Sequence, residues 1–321
     1  MVGSKRLNIL AIIVDYQSEE DARKLSLEIV ALQYAELSLD TIVVDNGNSS
    51  PRILNVQQVN AGVQLLRSPD NDGYAGGLRF AIAQGPARLG KKYDAYWFLN
   101  ADLSVPANCL PKLARILKIR SRVGAVAPVI YWGETARVWG ARGVVSPWLG
   151  TTAMTPWPSG GVLPRWSYLP GACLLVRKSA YDDAGGMPER YRMYYEEAEL
   201  CVCLQKKGWD LFVEADAKAR HFVASQAGRI PARHFAFYFA RNNLFFWKNN
   251  FRIPAWVQFP RTVFVVFKEL IFPLRRAPSW RIFNERLGDV WGGLIDGFEF
   301  LRKRYTKHEK RIFFLDQDRT E

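Results

Sequence analysis

The chain has 321 residues, 49% of them apolar and 13% aromatic, with 11 Trp. That is enough for one large α/β domain with an appendage, or for two small domains, and it excludes global disorder. The net charge is +13, and residues 229–311 hold 17 Lys/Arg against 6 Asp/Glu, so nearly all the excess sits in the last quarter.

Segregated basic charge points to an anionic partner, either lipid headgroups or nucleic acid. The four Cys (Cys109, Cys173, Cys201 and Cys203) have no zinc-ligand spacing and are too sparse for a disulfide scaffold, so a reducing cytoplasm is expected. Leu7–Val14 is too short for a signal peptide or a membrane span, and Lys268 and Glu269 interrupt the apolar stretch Val263–Leu274. No transmembrane helix is expected.

Leu7–Val14 reads as a buried parallel strand, Asp21–Glu36 as a helix, and Thr41–Asp45 and Val63–Arg67 as further strands. Ala75–Arg88 reads as a helix and Ala95–Leu99 as a fourth strand. Strands alternating with helices predict a doubly wound, mostly parallel sheet, whose ligands bind beyond the carboxyl ends of the strands. Polar residues gather there: Asp15 after the first strand, Asp45 at the end of the second, Asn71 and Gly73 after the third, and Asn100 and Asp102 after the fourth. Residues 131–170 read as loops and short strands. Ala172–Arg177 reads as a strand, Glu196–Lys207 as a helix stopped by Gly208, and Trp209–Glu214 and Ala219–Val223 as two more strands. From Pro231 on the pattern is helical and amphipathic.

Several of these residues are candidates for chemistry. A carboxylate at Asp102 can hold a hard divalent ion against a diphosphate, or it can simply cap a loop. On a helical wheel Glu197 lies with Leu200, Cys201 and Leu204, toward protein, while Glu199 lies away near Val202 and Lys206. A carboxylate turned inward at a helix start is costly unless paired or used, for example as a general base. Glu196 is the alternative, because a one-residue register shift exchanges the two. His221 can complete the shell of a metal at Asp102 or serve a structural role; His234 and His308 are expected to be solvated. Asn71–Gly77 leads into a helix with Gly73, Gly76 and Gly77, where backbone amides can approach phosphate, or where a simple turn is made.

Taken in order, Val43-Val44-Asp45-Asn46-Gly47, Asn71…Gly73-Tyr74-Ala75-Gly76-Gly77, Phe98-Leu99-Asn100-Ala101-Asp102, Met193-Tyr194-Tyr195-Glu196-Glu197-Ala198-Glu199-Leu200-Cys201 and Arg241-Asn242-Asn243 resemble the motifs of inverting family 2 glycosyltransferases. The resemblance runs from about residue 8 to about residue 250, and is nearest to the rhamnosyl- and galactofuranosyltransferase subgroup. It implies a GT-A fold over residues 1–230, with residues 231–321 as a basic amphipathic helical region. It implies Glu197 as catalytic base, with Glu196 as fallback. Asp102 and His221 would hold Mg2+ or Mn2+. Asp15, Tyr16, Asp45, Asn71, Gly73, Gly76 and Asn100 would surround a dTDP- or UDP-sugar. The implied acceptor is a lipid-linked or other membrane-associated glycan. Four positions depart from the pattern: Asn100 begins the DxD-like element, Glu197 and Glu199 stand where Asp is usual, and Asp15 stands where Asn or Thr is commoner.

After Pro260, read as a first helical residue, Val263, Phe264, Val266, Phe267, Leu270 and Ile271 form an apolar face. Arg275, Arg276, Arg281, Arg286 and Arg302-Lys303-Arg304 come next. This suits either an interfacial helix on an anionic leaflet or a helix packed on the catalytic domain. The expectation is a cytoplasmic protein, peripheral on the inner face of the cell membrane and without nucleic acid, since no nucleic-acid motif is present. Two other classes compete. A nucleotidyltransferase usually has a Gly-rich basic loop where Asp15-Tyr16-Gln17-Ser18-Glu19 stands, and a non-catalytic nucleotide- or glycan-binding derivative would account for Asn100 and Glu197.

Overall fold

In the computed structural model, residues 6–32, 34–46, 62–155, 159–222, 232–267 and 280–302 are described. The strands are β1 (Leu7–Asp15), β2 (Leu37–Asn46), β3 (Val63–Ser68), β4 (Ala95–Asn100), β5 (Leu103–Ser104), β6 (Val123–Trp132), β7 (Val138–Gly140), β8 (Arg142–Ser146), β9 (Thr151–Thr155), β10 (Gly161–Val162), β11 (Ser167–Tyr168), β12 (Cys173–Arg177) and β13 (Asp210–His221). The helices are α1 (Glu19–Val30), α2 (Gly73–Leu89), α3 (Cys109–Ile119), α4 (Lys178–Asp183), α5 (Glu196–Lys206), α6 (Ala232–Phe251), α7 (Ala255–Val266) and α8 (Trp280–Arg302).

Side chains alternate across a strand, so β1 feeds two cores. Leu10, Ile12 and Val14 enter one apolar core with α2, α5 and the Phe245-Phe246-Trp247 segment of α6. Ile9, Ala11 and Ile13 enter a second core, with α1 and α3. Helices therefore cover both faces of one large sheet, as its unbroken apolar strands require. The sheet order is β10-β13-β6-β12-β4-β1-β2-β3. β1–β4, β6 and β13 run in one direction and β12 is reversed, so the sheet is mixed but mostly parallel. A small antiparallel sheet, β11-β8-β9, lies apart.

The glycines of α2 serve close packing. A Cβ on Gly77 would stand 2.6 Å from Val14 Cγ1, so only glycine lets α2 lie this close to β1.

Three expectations are corrected and one helix is added. Helix α1 stops at Val30, not Glu36, because β2 begins at Leu37, which pairs with Leu7 of β1. The two strands expected over 209–223 are one, β13, which runs beside the long β6 with a register irregularity between Glu214 and Lys218. Helix α3 lay unread in the sequence, although Leu110, Leu113, Ala114 and Leu117 keep helical spacing. Pro260 lies inside α7, which starts after Pro254. Gly47, Leu270, Ile271, Arg275, Arg276, Lys303, Arg304 and His308 lie outside the described residues, as do the side chains of His234, Arg286 and Arg302.

Candidate active site

From β1 the chain winds outward through β2 to β3, then returns to place β4 on the other side of β1. A crevice opens where such an order reverses, beyond the carboxyl ends of the strands. Val14 is aligned with Asn100 across β1–β4, and Asp15 with Asp45 across β1–β2. Parallel pairing therefore brings three sequence-predicted residues to one edge, with Asp102 two residues beyond Asn100.

Asp15 is fully buried; its Oδ1 accepts the Ser18 amide (3.0 Å) and the Ser18 hydroxyl (2.7 Å). Burial raises its carboxyl to about 6 against the opposing pull of those two bonds. Asp45, also buried, has Oδ2 3.4 Å from Arg67 Nε. Tyr16 is exposed beside them.

Asn71 and Gly73 are tied to β2: Asn46 Nδ2 donates to Asn71 Oδ1 (3.1 Å) and to the Gly73 carbonyl (2.9 Å). Gly73 has φ +71°, and a Cβ there would stand 1.8 Å from the Arg192 carbonyl oxygen. The Gly73 amide donates to Asn71 Oδ1 and the Tyr74 amide to the Arg192 carbonyl, each within the protein. The Gly73 and Tyr74 amides are thus bonded within the protein, as the simple-turn reading has it for these two residues. A Cβ on Gly76 would stand 2.2 Å from Asp72 Cβ, so this glycine keeps the turn tight.

Asp102 and His221 meet because β13 pairs with β5, setting His221 opposite Leu103. Nε2 of His221 lies 2.9 Å from Asp102 Oδ1 and 3.4 Å from Asn100 Nδ2. Both Asp102 and His221 are buried, and Trp139 meets the imidazole edge-on at 4.6 Å. Among the described residues His221 Nδ1 has no hydrogen-bond partner, and the ring's polar contacts lie on the Asp102 side. Among the described residues no three His, Cys, Asp or Glu side chains converge. One carboxylate plus one imidazole fits a divalent ion whose shell is completed by diphosphate oxygens and water, the usual habit of Mg2+.

Helix α5 brings the second set of acids. Tyr194 and Tyr195, just before it, have φ of 67° and 75°. Left-handed backbone at non-glycine residues is strained and persists only where neighbours enforce it. Here Asn242 Nδ2 of α6 donates to the carbonyls of Met193 (2.7 Å) and Tyr194 (3.0 Å), and Asn243 Nδ2 donates to the Tyr195 hydroxyl (2.8 Å). Arg241, buried, reaches Asp296 of α8 at 3.6 Å. The Arg-Asn-Asn element therefore fixes the entry to α5.

Glu196 is buried, and its Oε2 has no hydrogen-bond partner among the described residues. Its carboxyl is raised well above the ordinary range, first by burial and then by the charge of Glu197. Glu197 is half-buried. Burial raises its carboxyl too, but the amides of Glu197 and Ala198 favour its ionised form. Of the pair, Glu197 is the better placed to carry the charge.

Glu199 corrects the wheel, which turns it toward solvent. It is buried and accepts from Arg190, the Tyr191 hydroxyl and Asn250 Nδ2. Helix α5 is enclosed on several sides, and an amphipathic wheel has no category for that.

Two elements link the sets of acids. A Cβ on Gly171 would lie 3.1 Å from Glu197 Cβ, and the next residue, Ala172, accepts the Asn100 amide at 2.9 Å. The Tyr74 hydroxyl donates to the Gly171 carbonyl at 3.0 Å. Burial pushes the Tyr74 phenol well above its usual value, and the charges of Glu196, Glu197 and Asp102 push the same way. Sequence reasoning does not single out Tyr74, Gly171 or Asn242 as site residues. Tyr74 leaves a signal as the aromatic inside the glycine motif, and Asn242 as the middle of the Arg241-Asn242-Asn243 element.

The family model "Glycosyl transferase family 2" matches residues 11–183, just over half of the chain. An N-acetylglucosaminyl-diphospho-decaprenol L-rhamnosyltransferase of Mycobacterium tuberculosis is 28% identical over 221 residues, 63% of this chain and 72% of the relative. The low-salt glycan biosynthesis hexosyltransferase Agl10 of Haloferax volcanii is 26% identical over 200 residues, 59% of each chain. Among solved structures, the mannosyltransferase PcManGT from Pyrobaculum calidifontis, in complex with GDP-Man and Mn2+, superposes with a TM-score of 0.55 at 12% identity. That superposition covers 92% of this chain and 88% of the other, and shows the shared GT-A fold. The strand-end acids, the glycine motif closed onto β1 and the acid-bearing helix α5 stand on a chain that belongs to glycosyl transferase family 2.

Proposed function

We propose that the protein is an inverting glycosyltransferase. It moves a sugar, rhamnose or galactofuranose or one like them, from a dTDP- or UDP-sugar onto a lipid-linked or other membrane-associated glycan. The observation that carries this reading is the junction of the two acid sets: Glu197 packs on Gly171, beside the strand end that bears Asn100 and Asp102. The curated relative from Mycobacterium tuberculosis, whose name specifies a polyprenyl diphosphate acceptor, supports the lipid-linked part.

Inversion is a single displacement at the anomeric carbon, with the acceptor hydroxyl opposite the departing nucleotide. Glu197 takes the acceptor proton as attack proceeds, since a hydroxyl is a poor nucleophile at neutral pH. Glu196, whose carboxyl burial and the neighbouring charge raise, is the fallback for the same role. Asp102 and His221 would hold Mg2+ or Mn2+. When bound, the ion neutralises charge building on the leaving diphosphate. Asp15 and Asp45 stand at the ends of β1 and β2 to read the base and ribose, with Tyr16, Asn71 and Asn100 around them. Residues 1–230 form the catalytic unit in this reading. Residues 231–321 brace it and carry it to the inner face of the membrane, where anionic lipid meets the basic segment.

The test is thermal protection by a panel of nucleotide sugars, with and without Mg2+ or Mn2+. A dTDP- or UDP-sugar should protect, and chelation or Asp102→Asn should remove most of that protection. Protection equally strong in excess EDTA would refute the metal assignment. No protection by any nucleotide sugar would refute the transferase reading.

A further inference from the structure

Helix α7 packs Phe259 and Val263 against α6 and α8 and buries Val265, yet it also turns polar side chains inward and large rings outward. Its polar residues Gln258 and Thr262 are buried, at 1% and 0% exposure. Gln258 Nε2 donates to Asn243 Oδ1 (2.9 Å) and Thr262 Oγ1 (3.2 Å), and the Thr262 hydroxyl donates to Asn243 Oδ1. The outward face carries Trp256, Phe264 and Phe267, at 77%, 68% and 51% exposure, with Pro260 between them. At 100° per residue these four fall on one stripe. On α8, Trp291, Ile295 and Phe298 form a second stripe at 48%, 58% and 41% exposure. The ring of Phe298 lies 6.0 Å from that of Phe259 of α7, which sets the two helices side by side.

A helix that turns amides inward and indoles outward is sorted for an apolar medium, not for water. No described helix is long and apolar enough to cross a membrane, so the face can lie along a bilayer but not span it. The surrounding charge selects the occupant. Residues 229–311 carry 17 Lys/Arg against 6 Asp/Glu, and Arg252 and Arg281, near the starts of the two helices, are exposed. A second copy docking through this face would bring two basic segments together, whereas an anionic leaflet complements them. Trp and Phe on an apolar face flanked by Arg are the composition of a helix seated at the headgroup level.

We infer that α7 and α8 form an interfacial docking surface for a lipid bilayer, with Trp256, Phe264 and Phe267 inserted among the acyl chains. This rests on the membrane attachment proposed for residues 231–321 and makes it specific: attachment is apolar insertion as well as attraction by basic charge.

The test uses the full chain and two kinds of vesicle, neutral phosphatidylcholine and the same lipid mixed with phosphatidylglycerol. The protein should cosediment with the anionic vesicles, and part of that binding should survive about 1 M salt, where exposed charges are screened within a few ångströms. The double variant W256S/F264S should partition roughly tenfold or more less well at low and high salt, the scale expected from two large apolar side chains. Its melting temperature and its protection by nucleotide sugars should match the parent, because neither side chain packs inward. Unchanged vesicle binding by the double variant would overturn the inference. So would a parent dimer that the variant breaks while vesicle binding stays the same. Failure to bind any vesicle, with donor protection intact, sinks the membrane surface alone. Loss of donor protection, with vesicle binding intact, sinks the transferase reading alone.

Discussion

Helices α5 and α7 both bury polar side chains, and they do so for different reasons. Helix α5 carries charge inward: Glu199 is met by three donors, while Glu196 keeps an oxygen unpartnered among the described residues. Helix α7 carries neutral polar groups inward and bonds them to each other and to Asn243. Its unmet groups are the rings outside. In α5 the uncompensated group sits in the protein, beside the strand ends; in α7 it sits on the surface. A buried, unsatisfied carboxyl marks chemistry within the molecule, and an exposed apolar stripe marks contact beyond it.

The comparison breaks most directly at Glu197. Glu197→Gln keeps the shape and removes the base. Turnover should fall roughly 10²-fold or more, the usual scale for a general base, while nucleotide-sugar protection stays near normal. Steady-state kinetics on both glutamines separates the pair. If Glu196→Gln loses turnover and Glu197→Gln does not, the role passes to Glu196. If neither loses it, the single-base mechanism is refuted.

Asp15 sharpens the comparison, because it is a buried acid whose hydrogen-bond partners do not offset its burial. Its folded carboxyl is raised to about 6, above the ordinary Asp value. A folded state that holds a proton more tightly is favoured at low pH. That contribution is complete below about pH 4 and is lost as pH rises through about 6. Asp15→Asn keeps an acceptor for Ser18 and removes the titration. At pH 7 the variant should be the more stable, by about 2–3 kcal/mol from the size of the shift, with the difference closing by about pH 4. Denaturant unfolding across that range reads it directly, and a difference independent of pH would mean that Asp15 is not raised. Donor protection of the same variant reports whether this carboxylate, held against stability, serves the nucleotide.

The strand-end acids are legible in the sequence because apolar runs such as Leu7–Val14 end abruptly in Asp or Asn, and parallel pairing then gathers those ends. The wheel turns Glu197 inward, yet it is the least buried of the three first-turn acids, with Glu196 and Glu199 the more enclosed. Glu199 is misread, since the donors that satisfy it come from Arg190, Tyr191 and Asn250, brought together only by tertiary packing. Tyr74 is hidden for a similar reason: its partner Gly171 is distant in the chain. The apolar residues of α7 are visible, but the side they face is not. Periodicity gives the angle between stripes, and tertiary partners, Asn243 for Gln258 and Thr262 and the α6/α8 cluster for Phe259 and Val263, decide which stripe turns inward.

The seating of α7 by Asn243 carries the smallest prediction. If the polar stripe is what seats the helix, trading its hydroxyl for a methyl should do harm even though the residue is buried. Thr262→Val keeps the volume but removes the donor to Asn243 Oδ1. It also takes from Gln258 Nε2 one of its acceptors. It should cost about 1–2 kcal/mol, the penalty for disrupting a buried hydrogen-bonded group. Phe264→Ser, a far larger change in volume but on the outer face, should shift stability by no more than about 0.5 kcal/mol in the absence of lipid. The ordinary rule for a soluble helix gives the reverse ranking, with apolar deletion harmful and a polar-to-apolar change mild. Urea unfolding of both variants against the parent decides between the two. If Phe264→Ser were the damaging change, the outward placing of Phe264 and the seating of α7 by Gln258 and Thr262 would then be wrong.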